Sequence, residues 1–240
     1  MPVYEALLAG QEDVADGTRA FRFGKPHGFA FKPGQSVSLE LIDPPAQPNS
    51  ARRVFSLASA PSDEELVVAS RMREGSAFKQ ALKAMPAGAK VRIRGPLGVM
   101  TLHDDAARAA VFVAGGIGIT PFMSMLRQAA HESSSRPLRL IYSNRRPEDA
   151  PFLDELLALE RRLSDFRMLA TMTDIEKSAR PWHGPRGLVT EDTVGRFVAD
   201  ALAPVYYLAG PPAMVEAMIG VLARSGTRDF DVRSERFYGY

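Results

Sequence analysis

The feature that most constrains the fold is an uncharged stretch, residues 109–126, in which three glycines and Pro121 interrupt an apolar run. A helix that crosses a bilayer needs about 20 apolar residues. Gly115, Gly116 and Gly118 weaken a helix, and Pro121 removes a backbone donor. The stretch therefore predicts a short buried strand, a glycine turn and a new helix, and it argues against a transmembrane span.

The start of that helix is suited to an anion. Thr120 is the expected N-cap, and Pro121 takes the first helical position, where its missing N–H costs nothing. A helix start presents N–H groups and a partial positive charge, which favour a ligand such as a pyrophosphate. The alternative is that the glycines serve only the close packing of helix on strand.

Composition limits the setting. The 240 residues are 45% hydrophobic, enough for two ordinary domains, and 30 basic against 28 acidic residues give no electrostatic case for nucleic acid. With no cysteine, the chain can hold no disulfide and no thiolate-ligated iron–sulfur cluster. The four histidines show no ligand spacing, so we expect no metal site. The N-terminus lacks the pattern of an export signal, and we expect a cytoplasmic protein.

The predicted pattern of strands, turns and helices differs between the two halves of the chain. Up to His103, short alternating runs are divided by turn signals, as in SVSLEL and VRIRG, which predicts a closed antiparallel Greek-key barrel over residues 1–103. One helix interrupts it in GSAFKQALKAMP, where Ser76 can cap. This helix start is a second candidate anion site.

Residues 104–240 alternate strands with helices, which predicts a parallel sheet. Ligands bind outside the carboxyl ends of such strands. The segment LAGPPAM repeats the pattern of strand, glycine turn and proline at a helix start. Asn144, Arg145 and Arg146 end the second strand, where the 2′-phosphate of NADPH would be expected. The two arginines favour NADPH as the nucleotide, although NADH stays open. The alternative is that they are solvated charges on a loop with no ligand.

Four motifs together resemble the ferredoxin–NADP reductase superfamily over nearly the whole chain: RVFSLASAP, REGSAF, GGIGITP and AGPPAM. A lone glycine motif would be weak evidence. Pro121 stands where the usual dinucleotide fingerprint has its last glycine, which disfavours an ordinary Rossmann dehydrogenase.

The resemblance implies FAD and NAD(P)H as cofactors. Arg53 is expected to meet the flavin phosphates, Phe55 to lie along the flavin, and Ser56 to act catalytically near flavin N5. Phe55 replaces the commoner Tyr, and Ala209 stands where the family often has Cys. The implied FAD-binding residues are Arg53, Val54, Phe55, Ser56, Arg71, Gly75, Ser76, Ala77 and Phe78. The implied NAD(P)H-binding residues are Gly115, Gly116, Gly118, Ile119, Thr120, Pro121, Asn144, Arg145, Ala209, Gly210 and Pro211.

The tail SERFYGY resembles the carboxyl-terminal motif of the family. It implies a catalytic Glu235 near the active centre and an aromatic cover over the flavin, either Phe237 or Tyr240, with a disordered end as the alternative. The loop PWHGPRG resembles one that borders the dinucleotide cleft, although Trp182 could instead belong to the core.

The sequence thus favours a FAD-dependent NAD(P)H oxidoreductase that passes electrons to a separate carrier, such as ferredoxin, flavodoxin or an oxygenase component. A separate acceptor is expected because the chain has no thiolates for its own cluster. The alternatives are an NAD(P)H:flavin or ferric reductase with loosely held flavin, and a redox-silent nucleotide-binding module.

Overall fold

The computed structural model describes residues 1–42 and 52–238, and Tyr240 lies outside them. The contact pattern divides the chain into two compact units, residues 1–101 with 120–128, and residues 102–119 with 129–240. In the first unit, Arg127 donates a hydrogen bond to the Ala58 carbonyl at 2.9 Å. The domain boundary at residue 103 stays a prediction.

The first unit is built on six antiparallel strands and one helix. The strands are β1 (Val3–Ala15), β2 (Thr18–Gly24), β3 (Ser36–Leu41), β4 (Arg52–Ser56), β5 (Glu65–Arg71) and β6 (Lys90–Leu97), and the helix is α1 (Ala77–Ala84). Their order in the sheet is β4-β3-β6-β1-β2-β5. An antiparallel bridge between Leu57 and Val68 connects the two edges, so the sheet curls into a barrel.

The barrel core follows the alternation in the sequence. Val37, Leu39, Leu41, Val91 and Ile93 are all buried in one apolar cluster. Phe78 and Leu82 of α1 pack into the same cluster because they lie four residues apart, on one face of the helix.

The second unit is a parallel sheet with the strand order β11-β10-β7-β8-β9. Its strands are β7 (Ala110–Gly115), β8 (Leu138–Asn144), β9 (Phe166–Met172), β10 (Val205–Gly210) and β11 (Val232–Arg236). Helix α2 (Thr120–His131) follows β7 in the sequence, and its residues 120–128 are grouped with the first unit. The helices of the second unit are α3 (Leu153–Arg162), α4 (Glu191–Phe197) and α5 (Pro212–Arg224). The predicted fold class, a β domain followed by an α/β domain, is confirmed.

The cap predicted for α2 is wrong by one position. A 3-10 turn, Gly116–Ile119, continues the helical winding back from α2, so Thr120 is the first helical residue and Pro121 the second. In the described part of the chain, no helix is long and apolar enough to cross a membrane.

Candidate functional site

The start of α1 carries the first predicted anion site. Ser76 is the N-cap, and its hydroxyl accepts a hydrogen bond from the backbone N–H of Lys79 at 3.4 Å, which confirms the predicted cap. Gly75 and Ala77 flank it, and the first turn contains no acidic residue. One capped donor leaves further N–H groups at the helix start, which can donate to an anion.

Two motifs that are distant in the sequence meet beside this helix. The guanidinium carbon of Arg53 lies 5.6 Å from the centre of the Phe78 ring, and the rings of Phe55 and Phe78 are 5.9 Å apart. Val54 is exposed, whereas Ser56 is only 6% exposed. The structure thus brings the arginine and the aromatic residue of RVFS next to the aromatic residue of REGSAF.

Lys79 is a candidate site residue that the sequence analysis missed. Its ammonium group donates to the Arg71 carbonyl at 2.7 Å. Burial lowers the pKa of Lys79, and the charges of Arg73, Arg53 and Arg71 lower it further. A lysine in the first turn is also repelled by the helix dipole. That pattern, a first turn with a lysine and no acid, was readable from the sequence.

The cation cluster provides a test of whether FAD fits. Arg53, Arg71 and Arg73 all oppose the positive charge of Lys79, so a bound anion would stabilise this cluster. A diphosphate at the start of α1 would meet these charges together with helix N–H groups, while the half-buried Phe55, which lies against the fully buried Phe78, offers apolar ring surface. The residues present therefore fit FAD.

The glycine turn after β7 packs against the end of β10. A Cβ atom on Gly118 would overlap the Ala209 carbonyl oxygen, and on Gly115 it would lie 2.5 Å from the Met214 sulfur. Gly116 has a φ of +52°, a left-handed conformation that favours glycine. Close packing on β10 thus requires Gly118, and the backbone conformation favours glycine at position 116, while a ligand role is compatible with both.

The matching turn after β10 interlocks with this one. A Cβ on Gly210 would lie 2.9 Å from Met214 Cε and 3.1 Å from the backbone of Gly115. Pro211 is the N-cap residue of α5 and lies next to Gly115, while Ile119 is fully buried. Two glycine turns, each leading into a helix, therefore lie at the carboxyl ends of neighbouring strands, on one edge of the sheet. This arrangement suits the diphosphate of a dinucleotide.

Asn144 supplies a further observation at the same edge. Its side chain is 6% exposed, and neither of its amide atoms has a hydrogen-bond partner within the described residues. Buried polar atoms without partners are rare and costly, at about 1–3 kcal/mol each. A ligand group at this strand end would satisfy them, so the residues of the edge fit a dinucleotide. Arg145, the next residue, is half exposed.

The carboxyl-terminal motif lies in β11, the strand next to β10 in the sheet. Glu235 in β11 pairs in register with Ala209, and the Phe237 N–H donates to the Gly210 carbonyl at 2.9 Å. This part of the tail is therefore ordered against the two glycine turns after β7 and β10, residues 115–118 and Gly210, which together form the glycine edge. Burial raises the pKa of Glu235, whose carboxyl group has no hydrogen bond or ion pair in the described structure. Whether Phe237 or Tyr240 covers the flavin stays a prediction.

Glu235→Gln should change how stability depends on pH. The unfolded carboxyl releases its proton near pH 4.3, whereas the folded one holds it to higher pH. Wild type therefore loses stability as pH rises from about 4.3 through the raised pKa, and the glutamine variant lacks this loss. In thermal unfolding between pH 4 and pH 8, the stability of the variant relative to wild type should increase as the pH rises. A difference that is constant with pH would contradict the burial of this carboxyl group.

The PWHGPRG loop is not part of the core. Trp182 is half-buried, its indole N–H donates to the Pro185 carbonyl at 2.9 Å, and its ring lies so close to Gly184 that a Cβ there would be 2.5 Å away. The Met172 N–H donates to Pro185 at 3.2 Å. The loop is thus tied to the carboxyl end of β9, and its contact with a dinucleotide stays a prediction.

The two units correspond to two known domains. Residues 5–102 match the model of the oxidoreductase FAD-binding domain, and residues 112–219 match that of the oxidoreductase NAD-binding domain. Fold and domain content together define a flavin- and pyridine-nucleotide-binding oxidoreductase architecture.

Similar proteins give the family. The chain is 31% identical to ferredoxin–NADP reductase B of Sorangium cellulosum, over 92% of this chain and 91% of that protein. It belongs to the ferredoxin–NADP reductase superfamily. The reductase component of propane 2-monooxygenase from Mycolicibacterium goodii is 32% identical over 82% of this chain. A cytochrome P450 reductase from Amycolatopsis superposes with a TM-score of 0.82 at 27% identity, covering 98% of this chain and 70% of that one. The chain spans just over half, 56%, of the Mycolicibacterium protein.

Proposed function

We propose that the chain is a FAD-dependent NAD(P)H oxidoreductase that passes electrons to a separate carrier, such as ferredoxin, flavodoxin or an oxygenase component. The observation that carries the proposal is the presence, in one chain, of a cationic helix start in the FAD-binding domain and an interlocked glycine edge in the NAD-binding domain. The names of similar proteins, reductase components of oxygenase systems among them, support it.

The bound cofactors supply hydride transfer from nicotinamide to flavin, and from there the release of single electrons. The residues of the chain bind the two cofactors and orient them. Arg53, Arg71 and Lys79 would hold the FAD diphosphate with the N–H groups of α1, and Phe55, backed by the buried Phe78, would support the rings. The glycine turns and Asn144 hold the nucleotide.

Two residues are proposed to act at the reacting atoms. The Ser56 hydroxyl donates to the flavin, and the Glu235 carboxyl group, protonated over a wider pH range than an exposed glutamate, holds a proton. Phe237, whose N–H donates to the Gly210 carbonyl, or Tyr240 would cover the ring of a bound flavin and exclude water.

The acceptor is tested directly with flavin-loaded protein that has been passed through gel filtration. Reduced protein should be reoxidised faster by a ferredoxin, a flavodoxin or an oxygenase iron–sulfur component than by free flavin or ferric citrate. Loss of the flavin on the column, with free flavin the best acceptor, would instead establish the flavin-reductase alternative. The cytoplasmic location stays a prediction.

Ser56→Ala tests the proposed catalytic hydroxyl. We expect flavin reduction by NAD(P)H to slow by roughly 10- to 100-fold, the effect of about 1.5–3 kcal/mol for a hydrogen bond that forms to a charged group. FAD content should stay near wild type, because the phosphate contacts are intact. Rapid-mixing absorbance measures the rate, and an unchanged rate would remove Ser56 from the chemistry.

A further inference from the structure

In the turn after β8, two arginines lie close to the carboxylate of one aspartate. Arg146 donates to both carboxylate oxygens of Asp149, at 2.8 and 2.9 Å, and Arg145 lies 3.9 Å from the same carboxylate. The Asp149 side chain is only 7% exposed. Removing Arg146 from this pair would take the nearer of its two arginines away from a buried carboxylate. Arg146 is therefore held by Asp149 more firmly than by an ordinary surface ion pair.

The loop after β9 adds further acidic groups to the same place. The Asp174 N–H donates to the Arg145 carbonyl at 2.8 Å, and the Asp174 carboxylate pairs with Lys177 at 2.9 Å. The charge of Arg145 also lowers the pKa of Asp174, after the larger effect of Lys177 and a hydrogen bond with Glu176.

Glu148 joins the two loops. Its carboxylate accepts from the Ser178 hydroxyl and the Ala179 N–H, each at 2.7 Å. Burial opposes ionisation of Glu148, but these bonds, with those of its own N–H and of the Arg180 N–H, bring its pKa to about 2. Arg180, in the same loop, lies 3.2 Å from Asp154.

Four cations of the loops after β8 and β9, at one corner of the sheet, thus lie within 4 Å of a carboxylate: Arg145 and Arg146 with Asp149, Lys177 with Asp174, and Arg180 with Asp154. The end of the second strand is where such folds meet the adenosine ribose, and an arginine there accommodates a 2′-phosphate. A doubly charged phosphate would have to compete with these carboxylates for their cations. The neutral, unpartnered amide of Asn144 suits a ribose hydroxyl better.

We propose that this corner selects NADH over NADPH, and that Asp149 is the specificity-determining residue because it occupies Arg146. The inference rests on the proposed function. It reverses the preference for NADPH that the two arginines alone favour in the sequence.

Isothermal titration of NAD⁺ and NADP⁺ into the FAD-loaded full chain measures binding without turnover. Wild type should bind NAD⁺ at least roughly 10-fold more tightly than NADP⁺. Asp149→Asn removes the carboxylate that pairs with Arg146 and should tighten NADP⁺ at least roughly 10-fold, with NAD⁺ nearly unchanged. The matched control Asp192→Asn frees Arg196 from an exposed pair in α4, away from this corner, and should leave the ratio unchanged.

The double variant Arg146→Ala/Asp149→Ala keeps the proposal falsifiable if Asp149→Asn does not fold, because it removes the pair without leaving a buried carboxylate. Its NADP⁺ affinity should equal that of wild type, since Asp149 already occupies Arg146. A selective loss of NADP⁺ binding in the double variant, or wild-type protein that binds NADP⁺ as tightly as NAD⁺, would overturn the inference while leaving the proposed function standing. Failure to bind either nucleotide would overturn the proposed function and this inference with it.

Discussion

Gly118→Ala should lose NAD(P)H binding while keeping its FAD. The new Cβ would overlap the Ala209 carbonyl oxygen and lie 2.7 Å from Gly210 Cα, both backbone atoms of β10 that cannot rotate away. The turn must move, and a shift of about 1 Å in a binding group can cost 100-fold. We expect nucleotide affinity to fall at least roughly 100-fold, with a loss of stability of about 1–3 kcal/mol from overpacking. Nucleotide titration and flavin absorbance measure the two effects.

Gly195→Ala is the matched control. It is the same substitution in the same unit, but a Cβ at Gly195 meets no atom within 4 Å, and the residue lies inside α4. Alanine should raise stability by about 0.5–1 kcal/mol and leave nucleotide binding unchanged. Wild-type nucleotide affinity in Gly118→Ala would contradict a ligand site at the glycine edge.

Arg53→Ala should weaken FAD retention by roughly 10- to 100-fold, because a charge-assisted hydrogen bond contributes about 1.5–3 kcal/mol. The substitution also removes the cation from its place 5.6 Å above the Phe78 ring. The bound fraction is measured as the ratio of flavin to protein absorbance after gel filtration.

Arg22→Ala is the control for that experiment, because it removes an arginine that pairs with Glu12 and Glu65 on the barrel surface. Its flavin content should equal that of wild type. An Arg53→Ala protein that purifies with full flavin would place the flavin phosphates elsewhere.

Strong periodic signals predicted most of the fold. The alternation of Val37, Leu39 and Leu41 identified β3, and the apolar runs before each glycine turn identified β7 and β10. The first two strands and β11 were not identified. β1 alternates exposed and buried residues only in part and shifts register between Leu8 and Gly10, and β11 contains two arginines and a glutamate in five residues. Such strands form because their neighbours pair with them, which local sequence does not show.

The candidate site was predictable where it depends on motifs and not where it depends on pairing. The glycines, the Ser76 cap and the strand ends were found because their residue types are required locally. The role of Lys79 and the pairing of Arg146 with Asp149 were missed. The lysine in an acid-free first turn was a readable signal for Lys79, but the arginines around it follow from which charges the fold brings together. In the same way, a count of arginines after a strand does not show which of them a carboxylate already holds.

The most direct test of the central claim is the visible spectrum of the purified protein, recorded anaerobically before and after one equivalent of NADH or NADPH. The account predicts flavin bands that survive gel filtration and bleach on addition, with NADH the more effective donor. Retained flavin bands that persist with both nucleotides would contradict it and leave a protein that binds flavin without reducing it.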